Sequence, residues 1–546
     1  PPAESHTMME PHSSTVDWSD GGDMTVWTSN QMINWNHQSI ATTFGIDPDR
    51  IRVESPYVGG GFGSKLWLRA DAVLAALGPR AAGKPVKLAL PRPMVMNNTT
   101  HRSATVQRIR LAADADGRLK GLWHEAASYC LPGGRGETAT APTPLFYAGQ
   151  TRRVKNHVVD MPLPETADMR APGEASGLMA LEIAMDEMAV ALDMDPVEFR
   201  IVNDTQVNPS DPETPFSDRN FVECLKRGAE VFGWADRNTT PGARRDGDWL
   251  IGHGVAGAFR GAPVLPSGAR AILKGGKLIV ETDMTDIGTG SYTILAQTAA
   301  ETMGMALKDV EMRLADGTYP VSSGSGGQFG AASSTAGVYA ACMALRDKIA
   351  GRLGLNDAAF ADGRVTGGAT DMALSEITEE VSAEDAIEWG DFQDGYEVAT
   401  FGAHFVEVGV HALTGESRVR RMLAVCDAGR ILNPITARSQ VIGGMVMGVG
   451  AALSEDMALD RTRGFFANHD MAGYEVAVHA DIPDQQVLFL DTLDGVATPL
   501  KAKGVGELGI CGVAAAVANA IYNATGIRVR DYPLTMDKFL DRLPVT

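Results

Sequence analysis

The chain has 546 residues, of which 44% are hydrophobic, 21% charged and 6% aromatic, so its length predicts roughly two to four domains with a sizeable core. Its net charge of -20 and pI near 5.0 argue against binding to nucleic acid or to an anionic membrane surface. The five cysteines are widely spaced and form no CxxC pair, which argues against an iron–sulfur cluster or a structural zinc held by this chain alone.

The longest weakly polar runs are Val441–Leu453 and Leu508–Ile521. Both are shorter than the ~20 residues that cross a bilayer, so we expect no membrane span. No secretory signal is visible in a sequence that begins at Pro1.

The first part of the chain combines short strands with a glycine-rich loop. Met24–Thr28 alternates as a strand and is followed by Gln31. Ile51–Glu54 predicts a second short strand, which leads into the loop Gly59–Lys65 and then into a helix over Leu66–Leu77.

A third feature, Met169–Glu174, opens an amphipathic helix, and Asp195–Pro196 restarts a shorter one. The apolar residues at helical spacing are Leu178, Leu181, Met185, Met188 and Leu192. A polar, turn-rich stretch follows at Ala235–Gly247. We therefore predict one α+β unit over residues 1–235, a linker over 236–247 and a second α+β unit over 248–546.

The second part repeats the order of strand, glycine loop and helix. Lys277–Thr282 predicts a strand that enters Asp286–Ser291, and the next helix ends at Met303 before Gly304. The long Gly/Ser segment Ser322–Ser334 predicts a loop, followed by a helix through Leu345.

Two further loops lie near the end of the chain. The strand Val419–Val425 precedes Gly429–Pro434, and Lys501–Gly509 places Glu507 among glycines before an apolar helix that Gly526 caps. Glycine lets the backbone approach a ligand closely because it carries no Cβ. A lone carboxylate beside such an approach is a candidate general base.

Helix N-termini present free N–H groups and favour phosphate or another oxyanion. We therefore expect the glycine loops to hold one large polar cofactor, with Glu507 facing its reactive atom. Other interpretations are weaker. Gly504–Gly509 fits GxGxxG but lies too near Thr546 for a nucleotide-binding domain, Gly59–Lys65 lacks the P-loop pattern, and neither GxSxG nor HExxH occurs. Taken alone, the loops Gly59–Lys65 and Asp286–Ser291 are better explained as ordinary turns.

The loops together, in this order, resemble the molybdenum-binding large subunit of the xanthine oxidase family, most closely the periplasmic type of bacterial aldehyde oxidoreductase. The segments that carry the resemblance are Gln31, Gly59–Lys65, Met169–Gly173, Gly288–Gly290, Gly326–Gln328, Gly429–Gln440 and Gly504–Glu507. The resemblance implies an α+β fold of two large molybdenum-cofactor-binding domains with mixed sheets and helices, and a cofactor at their interface.

The resemblance also implies a cofactor and the residues that bind it. Molybdenum would be held by the dithiolene of molybdopterin cytosine dinucleotide, with no metal ligand from side chains. Gln31, Gly61, Phe62 and Arg170 would lie at the metal–pterin end. The residues implied to bind the pterin, phosphates or cytidine are Gly288, Thr289, Gly290, Ser291, Ser322, Ser323, Gly326, Gly327, Gln328, Arg430, Ile431, Leu432, Asn433, Pro434, Ile435, Thr436, Gln440, Lys503, Gly504, Val505 and Gly506.

The implied reaction is oxidation of an aldehyde to a carboxylic acid with water as the oxygen source and Glu507 as the base. Electrons would pass to a 2Fe-2S small subunit and to an FAD-binding medium subunit. Family large subunits carry an additional N-terminal region, so a separate N-terminal chain or fragment is a further expected partner. The resemblance implies a periplasmic location, with the cytoplasm as the alternative.

Two positions narrow the expected substrate. Leu66 stands where purine-oxidising members have a glutamate, and Pro172 where they have a phenylalanine. An apolar Leu66 cannot hydrogen-bond a purine, so an aldehyde is favoured. The alternatives are hydroxylation of an N-heterocycle on the same scaffold, or a cofactor carrier without catalytic activity.

Overall fold

The computed structural model describes residues 1–18 and 22–544. Its helices are α1 Ile33–Phe44, α2 Ala70–Ala82, α3 Arg92–Asn98, α4 Glu174–Ala191, α5 Pro196–Val202, α6 Phe221–Phe232, α7 Ser291–Met303, α8 Gly330–Arg352, α9 Pro434–Leu453 and α10 Val513–Thr525. Its strands are β1 Glu4–Ser5, β2 Ser13–Asp17, β3 Met24–Thr28, β4 Ile51–Glu54, β5 Val86–Ala89, β6 His101–Arg102, β7 Val106–Ala113, β8 Leu119–Cys130, β9 Thr151–Asp160, β10 Val207–Asn208, β11 Asp211–Pro215, β12 Arg245–Asp246, β13 Trp249–Gly261, β14 Ser267–Lys274, β15 Lys277–Thr282, β16 Val310–Leu314, β17 Ala359–Ala361, β18 Arg364–Gly367, β19 Thr370–Ala373, β20 Val381–Ile387, β21 Ala399–His411, β22 Ser417–Asp427, β23 Leu459–Asp460, β24 Phe465–Phe466 and β25 Gln485–Phe489.

Two four-stranded sheets have the same topology. One has the strand order β4-β3-β2-β5 and the other β16-β15-β14-β20. In each sheet the two inner strands pair antiparallel, one outer strand is antiparallel and the other is parallel. The sheets meet edge to edge where Glu54 bridges Asp316, and the guanidinium of Arg52 pairs with the Asp316 carboxylate at 2.5 Å.

The same order of elements therefore occurs twice along the chain. The first half runs β2-β3-α1-β4-α2-β5, and the second runs β14-β15-α7-β16-α8-β20 with β17–β19 inserted before β20. Each half continues with an antiparallel pair of strands and a third strand that is parallel to its neighbour. In the first half these strands are β7-β8-β9, and α4 comes after them. In the second half they are β21-β22-β25, and α10 comes after them. The loops that precede equivalent helices are thus placed at equivalent positions.

Helices α4 and α10 pack together against β13, which belongs to the five-stranded sheet β12-β13-β21-β22-β25. The side-chain amide of Asn519 on α10 donates to the carbonyl oxygens of Glu182 and Val255. A Cβ on Gly252 or Gly254 of β13 would lie 2.0 or 2.1 Å from a carbonyl oxygen of α10. The glycines allow this close contact between helix and strand.

The hydrophobic residues form two main cores. One lies between the five-stranded sheet and helices α4, α6, α9 and α10, and the other lies against both four-stranded sheets. Both cores take residues from each side of the predicted linker 236–247. The domain boundary there stays a prediction, and within that segment Arg245–Asp246 pairs with β13 as β12.

Leu508–Thr525 is a long apolar stretch with a mean hydropathy of 1.4 over 18 residues. By length and composition it could cross a membrane, but 94% of it is buried inside the protein. This burial is the packing of α10 in the core.

The structure confirms some predicted bounds and corrects others. The strand Lys277–Thr282 and the end of α7 at Met303 before Gly304 are confirmed. The helix predicted over Leu66–Leu77 is wrong at both ends, because residues 63–66 form a turn and α2 runs from Ala70 to Ala82.

The segment Ser322–Ser334 is only partly a loop. Helix α8 already begins at Gly330 and continues past Leu345 to Arg352. The hydroxyls of Ser333 and Ser334 donate to carbonyls one turn earlier, at 2.9 and 2.5 Å, which makes these small polar residues compatible with a helix.

Glu455 makes the stability dependent on pH. Its buried carboxyl accepts a hydrogen bond from the Tyr474 hydroxyl at 2.7 Å. Burial, followed by the nearby charge of Glu4, raises the pKa of Glu455 from 4.5 to about 8. The folded protein therefore keeps a proton there that the unfolded chain loses, so this group makes stability fall as pH rises from about 4.5 to about 8.

We predict that Glu455→Gln is more stable than the parent chain at pH 8, because glutamine keeps the acceptor and never ionises. Thermal unfolding between pH 5 and pH 8 should show a flatter dependence on pH for this variant. Glu380→Gln, at an exposed ion pair with Lys274, serves as the control and should follow the parent curve. Parallel curves for Glu455→Gln and the parent would contradict the prediction.

Candidate functional site

Loops from both halves of the chain surround one cavity of about 600 Å³. The predicted site residues that line it are Gln31, Phe62, Leu66, Arg170, Pro172, Gly288, Thr289, Ser291, Gly326, Gly327, Gln328, Arg430, Ile431, Leu432, Asn433, Thr436, Gln440, Lys503, Gly504, Val505, Gly506 and Glu507. The structure therefore brings most of the predicted set together, although the roles of these residues stay predictions.

The remaining predicted residues do not line the cavity; they are Gly61, Gly290, Ser322, Ser323, Pro434 and Ile435. A Cβ on Gly61 would lie 2.3 Å from the side-chain oxygen of Gln31, and one on Gly290 would lie 2.7 Å from Thr436. The amide of Ser322 donates to the buried Asp283 carboxyl at 2.6 Å, and burial raises the pKa of Asp283 to about 6.

Helix α8 presents a free N-terminus to the cavity. No side chain caps it, and Gly330 and Ala331 of its first turn line the cavity. Two other helix starts at the cavity are already capped, α7 by the carboxylate of Asp286 and α9 by the side chain of Asn433. The α8 N-terminus is thus the one of these three that can receive a phosphate on its amides.

Gln31 joins two loops across the cavity wall. Its side-chain oxygen accepts the amide N–H of Gly63 at 3.0 Å and of Lys65 at 3.3 Å, and its nitrogen donates to the Ser325 carbonyl at 2.8 Å. The side chain is buried. Its position holds the Gly59–Lys65 loop against the segment before α8.

Arg170 fixes the loop that carries Glu507. Its Nε and Nη2 donate to the Gly506 carbonyl at 3.0 and 2.7 Å, and Nη2 also donates to the Gln440 carbonyl at 2.6 Å. Burial lowers the pKa of Arg170 to about 10.

The carboxylate of Glu507 is held at one oxygen. Its Oε2 accepts a hydrogen bond from Arg260 Nε at 2.7 Å, and Arg260 Nη1 donates to Glu174 at 3.0 Å. Burial raises the pKa of Glu174, and the two carboxylates outweigh burial in raising the pKa of Arg260. Within residues 1–18 and 22–544, none donates to Oε1 of Glu507, so this oxygen is available to a ligand.

The charged groups of two predicted cofactor-binding residues, Lys503 and Arg430, lie close to carboxylates of the protein. The Lys503 ammonium is fully buried, 3.4 Å from Asp494 and 3.8 Å from Asp427. The Arg430 guanidinium pairs with Glu301 at 2.7 Å. These ion pairs anchor the loops that carry Lys503 and Arg430.

Sequence reasoning missed Arg260 and Glu174, as well as a stacked pair of tryptophans, Trp35 and Trp67, whose rings lie 4.6 Å apart at the cavity wall. Trp67 follows Leu66 directly and could have been included with that motif. Arg260 offered no signal, because it lies in a strand and its partner Glu507 is 247 residues away.

The residues described in the structure contain no group of three or more His, Cys, Asp or Glu that could hold a metal ion.

Comparison with known protein families identifies the class of cofactor that the chain binds. Residues 2–204 and residues 227–483 each match a family model described as a molybdopterin cofactor-binding domain. The chain is also 59% identical over 548 residues to the aldehyde oxidoreductase molybdenum-binding subunit PaoC of Escherichia coli (strain K12), covering 100% of this chain and 75% of that protein. The chain belongs to the molybdenum-binding subunits of the xanthine oxidase family.

Solved structures agree on the fold. Quinoline 2-oxidoreductase from Pseudomonas putida 86 superposes with a TM-score of 0.89 at 22% identity, over 100% of this chain and 75% of that one. Aldehyde oxidoreductase from Desulfovibrio desulfuricans ATCC 27774 gives 0.85 at 22% identity, over 100% and 60%. The predicted α+β fold of two molybdenum-cofactor-binding domains is thereby confirmed.

The packing of Gly504 gives a test of how the site is held. A Cβ on Gly504 would lie 1.7 Å from the Gln328 carbonyl oxygen, whereas one on Gly506 would meet no atom within 4 Å. We predict that Gly504→Ala lowers the free energy of unfolding by about 1–3 kcal/mol, because the backbone must move to admit a methyl group. Urea denaturation of both variants measures this, with Gly506→Ala expected to unfold like the parent. Equal midpoints for the two variants would contradict the packing argument.

Proposed function

We propose that this chain is the catalytic, molybdenum-binding subunit of an aldehyde oxidoreductase, which oxidises aldehydes to carboxylic acids with oxygen taken from water. The observation that carries the proposal is the Glu507 carboxylate, which faces a cavity built by cofactor-binding loops and has one free oxygen. The name and 59% identity of the Escherichia coli relative support the choice of aldehydes.

The residues of the cavity suit a phosphorylated cofactor. The uncapped start of α8 can receive a phosphate, and added Cβ atoms on Gly288 or Gly506 would meet open space, so the backbone there is accessible to a bulky group. When bound, the molybdenum cofactor supplies the centre that accepts two electrons. The cytosine dinucleotide form is our proposal for its identity.

Glu507 acts as the general base. Its Oε1 accepts the proton that water releases as the water oxygen is transferred to the aldehyde carbon, and Arg260 keeps the carboxylate oriented through Oε2. Conversion of an aldehyde and one water into a carboxylic acid releases two electrons and two protons. The electrons must leave through other groups.

We propose a 2Fe-2S subunit and an FAD-binding subunit as the electron acceptors. The five cysteines of this chain are free and buried, and no group of three or more possible metal ligands occurs among the described residues. The relative PaoC is named as a subunit, which supports a multisubunit enzyme. A separate N-terminal chain or fragment and a periplasmic location, with the cytoplasm as the alternative, stay predictions.

We predict that Glu507→Gln lowers the turnover number by about 10²–10⁴-fold while the complex keeps its molybdenum, because the amide cannot accept the proton. Steady-state oxidation of an aldehyde, with metal content by mass spectrometry and nucleotide release by acid, gives the three readouts. The control is Glu384→Gln, at an exposed position. An unchanged rate in Glu507→Gln would contradict the role of Glu507 as the base, and a parent complex that holds molybdenum without turnover would favour a cofactor carrier. Release of a nucleotide other than a cytidine one would contradict the dinucleotide proposal.

The lining of the cavity predicts the substrate class. Leu66 is buried, packs beside Gly326 and offers no hydrogen bond, and Pro172 also lines the wall. A purine would leave its polar ring atoms without partners there, which costs binding energy. We predict that the intact complex oxidises aromatic or aliphatic aldehydes and does not oxidise xanthine. Comparison of kcat/KM for both classes tests this, and clear xanthine oxidation would overturn it.

A further inference from the structure

The side chain of Gln328 makes contacts that differ from those of a cofactor ligand. Its Oε1 accepts the amide N–H of Glu507 at 3.0 Å and of Leu508 at 2.9 Å. Its Nε2 donates to the Thr400 hydroxyl at 2.7 Å and to the Gly261 carbonyl at 3.5 Å. A primary amide has two donors and one acceptor oxygen with two lone pairs, so this one is fully used within the protein.

The backbone of Gln328 is held in an uncommon conformation. Its φ is +65°, in the left-handed region that favours glycine, although glycines surround it in the loop. A glycine at this position would relieve the strain but would lose all four hydrogen bonds of the side chain. A strained backbone conformation of this kind persists only where the surrounding contacts over-determine it.

A series of hydrogen bonds connects Gln328 to Glu507 both directly and through Thr400 and Arg260. Thr400 accepts from Gln328 and donates to the Arg260 carbonyl at 3.2 Å, and the Arg260 guanidinium holds Oε2 of Glu507. Gln328 thus fixes the main chain of Glu507, while Arg260 fixes its carboxylate. The main chain and the carboxylate of Glu507 are therefore both held from the paired strands β13 and β21, in which Arg260 lies opposite Thr400.

We propose that Gln328 is a positioning residue for the base Glu507. It acts through the two amides that it accepts, and it sets the place of the Glu507 carboxylate relative to the reacting carbon. The proposal rests on the aldehyde oxidoreductase function proposed above. It assigns Gln328 a role in the rate of the chemical step instead of a role in holding the cofactor.

The chain offers a matched control. Gln393 also has a left-handed backbone, with φ of +69°, and its side chain also binds main-chain groups. Its Nε2 donates to the carbonyls of Ala262 at 3.0 Å and Ala497 at 3.4 Å, and its Oε1 accepts the amide of Val264 at 3.3 Å. Gln393 is not among the residues that line the cavity.

The experiment compares Gln328→Met and Gln393→Met in the assembled complex. We expect Gln328→Met to lower kcat by about 10- to 100-fold, since a small displacement of a catalytic group costs this much, while KM and the molybdenum and nucleotide content stay within twofold of the parent. We expect Gln393→Met to keep the parent kcat. An unchanged kcat in Gln328→Met, or a loss of cofactor in proportion to the loss of rate, would overturn the proposal.

A double-mutant cycle tests whether Gln328 acts through Glu507. In a Glu507→Gln background, Gln328→Met should cause no further loss in the rate of cofactor reduction by aldehyde, because the base is already gone. A loss as large as in the parent background would show an independent role and overturn the proposal. A parent complex that carries full molybdenum but oxidises no aldehyde would instead refute the proposed function.

Thr400→Val provides a second variant should Gln328→Met fail to fold. It keeps Gln328 in place but removes the Thr400 hydroxyl that holds the amide nitrogen. We expect a smaller fall in kcat, about three- to tenfold, with unchanged cofactor content. A parent-like kcat in Thr400→Val would count against the proposal.

Discussion

Glutamine amides that bridge loops from different parts of the chain are the contacts on which the site depends. Gln31 joins the loop at Gly63 to the carbonyl of Ser325, and Gln328 joins the segment before α8 to the amide of Glu507. In both cases a glycine lies so close to the glutamine that a Cβ would clash with it. Gly61 lies beside Gln31, and Gly504 lies beside Gln328. A neutral amide can donate and accept at once without placing a charge in the cavity wall, so it can join two main-chain segments.

The repeated order of elements explains why these loops can meet. The two four-stranded sheets join at Glu54 and Asp316, which places the loop before α2 near the loop before α8. The loops that precede α4 and α10 carry Arg170 and Glu507, and these helices pack together beneath them. The cavity is therefore formed by equivalent segments of the two halves. Neither half contains a complete site.

Three residues at the cavity have strained backbones. Phe62, Ala171 and Gln328 all have left-handed backbones, with φ of +55°, +59° and +65°. Each lies in or next to a cavity loop, and each is a residue other than glycine. Such conformations cost of order 1–3 kcal/mol and are kept where the surrounding structure over-determines them. At the cavity, hydrogen bonds of the side chains of Gln31, Gln328 and Arg170 hold these loops in place.

The sequence predicted helices, strands and loops more accurately than it predicted contacts between distant side chains. The strand Lys277–Thr282, the stop at Gly304 and the glycine loops at the cavity all follow from patterns within a few residues. The start of α8 was missed because Ser333 and Ser334 satisfy their hydroxyls inside the helix, which a composition of small polar residues does not reveal. The contacts of Arg260 were missed because charge pairing across strands and loops has no sequence periodicity.

The charge arrangement shows why the missed arginine matters. Arg260 lies between two carboxyl groups, the buried Glu174 and the partly buried Glu507, and donates a hydrogen bond to each. A buried charge that loses its partner is strongly destabilising, so the arginine cannot be exchanged for an apolar residue at low cost. Because Glu174 takes one of the guanidinium hydrogen bonds, the arginine orients Glu507 through Oε2 alone. Glu507 lines the cavity, and within residues 1–18 and 22–544 its Oε1 accepts no hydrogen bond, which is the arrangement that a base needs while its other oxygen is held.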